Sequence, residues 1–136
     1  MANYECMIRS NYFRVNDETG YQDFIRSVNA EDMYFFERAE GENVLHAFGC
    51  EGGLYGIEDE NGNYSYDLFI EGLQKYLIDD DAVIILEAGH EKLRYVSGLA
   101  DIITKKEIFS LDISSLAIQK AREMLCNPDY TTDCDY

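Results

Sequence analysis

The chain has 136 residues, 46% of them apolar and 1 of them proline, with 27 acids against 11 Lys and Arg for a net charge of −16. So much apolar content at single-domain length excludes intrinsic disorder, because a domain of this size buries roughly two-thirds of the surface that its unfolded chain exposes. The charge lies outside the range of about 2 to 8 that suffices for solubility, and such a field repels nucleic acid and anionic membrane while attracting basic surfaces.

The acids are concentrated early. Residues 1–81 hold 18 acids and 5 bases, whereas residues 82–136 hold 9 and 6, which predicts an acidic face built by the first part of the chain. No apolar run approaches the ~18 residues of a spanning helix, and no basic stretch followed by an apolar core opens the chain. A cytoplasmic location is the resulting expectation.

In chain order, Tyr4 to Val15 alternates like a strand whose apolar face changes partway, as a bulge near Ser10-Asn11 would produce. Asn16-Asp17 is a helix cap candidate, and Tyr21, Phe24, Ile25 and Val28 keep the i, i+3, i+4, i+7 spacing of an amphipathic helix over 18–29. The runs 33–38 and 43–50 flank Glu40-Gly41-Glu42, a hairpin by spacing and by its glycine. Glu51 to Tyr64, punctuated by Gly52, Gly53, Gly56 and Gly62, reads as a long loop of the functional or mobile kind, with a short extended piece at 54–57.

Ser65 then caps a second helix carrying Tyr66, Phe69, Ile70, Leu73, Tyr76 and Leu77. Gly72 weakens that helix by about 1 kcal/mol relative to alanine and marks a tight contact with a sheet. The runs 83–86 and 93–103, joined by Ala88-Gly89-His90-Glu91, form a central hairpin. A strand over 107–111 leads into a third helix that Asn127-Pro128 stops, and residues 127–136 form an acidic tail.

These elements predict one domain, 1–136, of the α+β class: a two-layer sandwich of a mainly antiparallel sheet and three helices gathered on one face. Its core is expected from Phe24, Ile25, Phe69, Leu73, Ile84, Leu86, Val96 and Leu116. The match of Tyr21-Gln22-Asp23-Phe24-Ile25 to Tyr66-Asp67-Leu68-Phe69-Ile70, each helix being followed by acids and a hairpin, has two readings: an internal α-β-β repeat, or convergence on one pattern.

No motif specifies chemistry. Asp59-Glu60-Asn61-Gly62-Asn63 has oxygen ligands at alternate positions like a calcium loop, but Tyr64 stands where the sharp turn needs glycine and Ile70 where a bidentate glutamate should close the shell. His46 and Cys50 share a strand face yet stand ~13 Å apart, too far for a nucleophile and its base. His46 and His90 lack partners at zinc-ligand spacing. Cys6, Cys50, Cys126 and Cys134 form no C-x-x-C and read as free thiols that pack as small apolar residues. No cofactor, no metal and no catalytic residue set is expected.

What remains is charge. Glu31-Asp32, Glu58-Asp59-Glu60 and Asp79-Asp80-Asp81 all fall at ends of elements, where acids cap helices and solvate turns. The other reading is that they line one edge and bind a basic protein surface. Duplex DNA carries one negative charge per ~1.7 Å, and carboxylates in rows would offer a nucleic-acid-binding protein the same field. The scattered bases, with Lys105-Lys106 the one adjacent pair, argue against direct nucleic-acid binding. The alternative is an interaction or regulatory module of incidental acidity, docking through an apolar, tyrosine-bearing sheet edge.

Three stretches, Asn11-Tyr12-Phe13-Arg14-Val15, Asp79 to Gly89 and Asn127-Pro128-Asp129, make the chain similar to small acidic uncharacterised proteins carried on mobile elements of gut bacteria. That resemblance implies no activity and no functional residues. Proteins in that setting include inhibitors of host defence nucleases, some of them DNA mimics.

Overall fold

The computed structural model describes residues 4–93 and 95–131. Cys134 and the end of the acidic tail lie outside the described residues. The chain runs β1 (Glu5–Ser10), α1 (Glu18–Arg26), β2 (Asn29–Ala30), β3 (Met33–Glu40), β4 (Asn43–Glu51), β5 (Leu54–Glu58), β6 (Tyr64–Ser65), α2 (Tyr66–Tyr76), β7 (Val83–Glu91), β8 (Tyr95–Ile103), β9 (Ile108–Asp112) and α3 (Ile113–Leu125). Six strands form one antiparallel sheet in the order β3-β4-β1-β7-β8-β9, and β2, β5 and β6 form a small second sheet. The expected α+β sandwich is present.

Local chemistry sets most boundaries. The Asp17 carboxylate accepts the Gly20 N–H at 3.0 Å to start α1, and the Ser65 hydroxyl accepts the Leu68 N–H at 3.2 Å to start α2. Gly41, at φ +62°, takes the first position of the two-residue β3–β4 turn, where positive φ is required. Pairing of β1 with β4 runs Arg9↔Gly49 but then Phe13↔His46. That is one extra residue on the β1 side, the bulge expected near Ser10-Asn11.

Several expectations change. Glu51 to Tyr64 is not a long loop: β5 pairs with both β2 and β6, leaving only a tight turn over 59–63. Gly56, at φ +110°, passes so close to the Ser65 carbonyl that any Cβ would collide with it. The hairpin turn comes after Glu91, with Lys92 and Leu93 in it, because Ala88 to Glu91 continue the ladder opposite Tyr95 to Gly98. Gly72 makes its close contact with the Phe24 ring of α1, not with the sheet.

The largest correction concerns the faces of the sheet. Paired residues share a face, and the face covered by α1 and α2 carries Ile8, Phe48, Val83, Ile85 and Ile103, packed with Ile25, Phe69 and Leu73. Phe24 is partly buried at the rim of this core. Leu86, Val96 and Leu116 are not core residues, being 55%, 70% and 47% exposed. Ile84, Leu86 and Val96 lie on the opposite face, and α3 stands on that face too, its Ile113 meeting Gly98. The 83–86 run is apolar on both faces, so alternation could not decide which side is buried. The two helix–hairpin units also differ in placement: β1 is flanked by the second strand of one hairpin, β4, and by the first strand of the other, β7.

Candidate functional site

The structure gives the molecule two unlike sides. The layer of α1, α2 and the small sheet, residues 14–32 and 54–81, holds 13 acids and 3 bases, a net −10 of the chain's −16. Of these acids only Asp59 and Asp81 are half-buried. Among the described residues, the only Lys or Arg paired with a carboxylate is Lys120 with Glu123, on α3 and outside this layer. The layer's negative charge is therefore almost unpaired among the described residues.

The three acidic clusters do not form one row. Glu31-Asp32 lies in the β2–β3 turn beside Gly53, at the start of β1, whereas Asp79-Asp80-Asp81 precedes β7 at the other end of that strand. Glu58-Asp59-Glu60 lies before the N-terminus of α2 and Asp79-Asp80-Asp81 after its C-terminus, with an 11-residue helix about 16 Å long between them.

Three of the eight carboxylates serve the backbone. Glu31 accepts from the Gly53 N–H and the Tyr55 hydroxyl, both at 3.0 Å, and these bonds hold its carboxyl below the usual range. Asp59 accepts from the Asn61 and Asn63 N–H groups at 2.9 and 3.0 Å, closing the turn that superficially resembled a calcium loop. Asp81 accepts from the Arg14 and Ala82 N–H groups at 2.8 and 2.9 Å. Among the described residues, the side chains of Asp32, Glu58, Glu60, Asp79 and Asp80 make no hydrogen bond or ion pair.

His46 is buried where α1 meets the β3–β4 hairpin, its Nε2 2.7 Å from the Glu18 carboxylate and its Nδ1 3.9 Å from Glu37. Gln22 donates to the same Glu37 oxygen at 3.3 Å. Burial, then Glu18 and Glu37, push the neighbouring Tyr21 hydroxyl well up. Sequence spacing could not reveal this cluster, because its members come from three elements. It pins the start of α1 to the edge hairpin. Cys50 is buried at the far end of β4, and burial above all pushes its thiol up to about 11.

The opposite side of the sheet is open, and only half of it is roofed. Over β3, β4 and β1 the Arg9 guanidinium lies 3.9 Å above the Phe36 ring and that of Arg38 4.4 Å above Tyr12, which leaves Leu45 and Ala47 buried beneath. Over β7, β8 and β9 the described residues supply no such cover. Met7, Leu86, Ala100 and Leu111 form the floor of a cavity of about 440 Å³, and Ile113 and Leu116 of α3 form its wall. On β1, β7, β8 and β9 the only acidic or basic side chains of this face besides His90 are Glu5 and Arg9, and Glu5 sits 3.5 Å from His90.

No family model, no curated protein and no solved structure gives a significant match to this chain.

Proposed function

We propose that this is a non-enzymatic acidic binding protein whose helical layer engages a basic protein surface, such as the nucleic-acid channel of a nuclease. The observation that carries the proposal is the one-sided, unneutralised charge of that layer: 13 acids against 3 bases, with no Lys or Arg paired to a carboxylate among its described residues. Such a field accelerates encounter with a basic patch and repels polyanions that compete for it. Asp32, Glu58, Glu60, Asp79 and Asp80, having no bonds to the described residues, are placed to meet cations, whereas Glu31, Asp59 and Asp81 shape the backbone around them. The resemblance to mobile-element proteins favours defence nucleases as the partner class. Two observations support a role without catalysis: the Cys50 thiol stays protonated at neutral pH, and His46 is seated beneath Glu18.

The test is affinity capture from bacterial lysate at low and moderate salt, comparing wild type with a variant bearing Glu58→Gln, Glu60→Gln, Asp79→Asn and Asp80→Asn. Wild type is expected to retain a nucleic-acid-binding protein that the variant releases. Equal capture by both sinks the proposal.

The bare half of the sheet favours a second reading, in which acidity is incidental and the protein docks through apolar surface. The two readings differ in their response to salt, since screening weakens charge pairing and leaves apolar burial intact.

A further inference from the structure

We infer that the bare half of the sheet is covered by a second copy of this chain, the α3 of each protomer lying across the β7–β9 surface of the other. The inference rests on the apolar-docking reading and names its occupant.

The first argument is α3 itself. It is a well-capped helix, with the Asp112 carboxylate accepting from the Ser114 N–H at 2.9 Å and Cys126 closing the other end at φ +51°. Yet none of its 13 residues is buried. A helix of that length is marginal in water, and within proteins its stability comes from burying an apolar face. At 100° per residue Ile113, Leu116, Ala117 and Met124 share one side of α3, with Lys120 among them and ion-paired to Glu123 at 3.4 Å. Ile113, Leu116 and Met124 are 60%, 47% and 76% exposed. A largely apolar helix side and an apolar sheet face thus lie side by side, neither covered by the described residues.

The second argument is symmetry. α3 follows β9 with no intervening residue, which keeps it beside the sheet face that it borders. A two-fold axis through the cavity would bring each helix onto the partner's floor, so that one patch satisfies itself, as an isologous contact requires.

The third is area. The exposed portions of Met7, Leu86, Val96, Phe109, Ile113, Leu116 and Met124 come to on the order of 800 Å², the size that a standard interface buries on each partner. It is also well above the patch of a few hundred Å² that an ordinary monomer leaves open.

The fourth is charge. A basic partner gains little here, because Glu5 and Arg9 are the only acid and base that these strands offer, whereas a second copy brings the α3 side, whose charges, Lys120 and Glu123, already neutralise each other. The acidic layers of the two protomers would face outward on opposite sides, away from the contact.

The experiment is sedimentation of the full chain from 1 to 100 µM, in 50 and 500 mM NaCl, with no partner added. We expect a mass rising from 15.7 kDa to twice that value, with tighter association at high salt as repulsion between the acidic layers is screened. Leu86→Asp and Leu116→Asp, on surface positions that leave the core intact, should each weaken the dimer by at least about tenfold, with unchanged circular dichroism. A wild type that stays monomeric at 100 µM in high salt overturns the inference, as does a dimer that both variants leave intact or an assembly that grows past two. Binding of an apolar dye, measured alongside, separates the two claims. A monomer that binds dye and loses it in Leu86→Asp keeps the apolar docking face but discards the second copy; a monomer that binds none discards both.

Discussion

Gly72→Ala pits two effects of known size against each other. On an exposed helix the change would stabilise α2 by roughly 1 kcal/mol, because alanine has the higher helix propensity. Here the added methyl would run into the Phe24 ring, overlapping Cε1 and Cζ and lying 2.8 Å from Cδ1. That ring cannot simply swing aside, being stacked on Phe69 at 6.0 Å and tilted against Tyr76 at 5.7 Å. Overpacking of this kind costs about 1 to 3 kcal/mol, so the clash wins and the variant should lose about 1 kcal/mol in urea denaturation. In a Phe24→Ala background the same substitution should turn stabilising, since the methyl then fills space that the ring has vacated. The sign reversal corresponds to a coupling of roughly 2 kcal/mol. A Gly72→Ala protein more stable than wild type, or one with the same effect in both backgrounds, would refute the α1–α2 contact.

Two further predictions concern titratable groups. Iodoacetamide at neutral pH should label exposed Cys126 while Cys50, buried and with its thiol pushed up to about 11, reacts only on unfolding, as peptide mass spectrometry would show. Glu31, whose carboxyl the Gly53 N–H and the Tyr55 hydroxyl hold below 4.5, contributes stability that is present above that pH and lost as pH falls through its lowered value. Melting temperatures of Glu31→Gln and wild type should therefore differ at neutral pH and converge in acid, and a constant difference down to pH 2 would contradict this.

Much of the fold was legible because its signals are local. Ser65 and Asp17 cap the helices that follow them, Gly41 marks its hairpin, and the apolar spacing of α1 and α2 survives as Ile25, Phe69 and Leu73 in the core. The choice of sheet face was not local. Val83 to Leu86 is apolar at every position, and only the packing of α2 decides that Val83 and Ile85 turn inward while Leu86 faces out. The long loop was misread because its glycines suggested irregularity, when Gly56 permits close pairing of β5 with Ser65 instead. For the candidate site, the concentration of acids before residue 82 was visible from counting. That three of the eight named carboxylates are bound to backbone N–H groups, and that the clusters sit at separate corners, depends on contacts between distant segments.

The central claim is that the helical layer binds through its unneutralised charge. Its most direct test is the affinity of a captured basic protein, measured by titration calorimetry between 50 and 300 mM salt for wild type and for the variant neutralised at Glu58, Glu60, Asp79 and Asp80. The account predicts that wild-type affinity falls steeply with salt, that the variant binds more weakly with a shallower slope, and that duplex DNA competes with wild type for the partner. Equal affinities for the two proteins at every salt concentration, or binding that strengthens with salt, would contradict it.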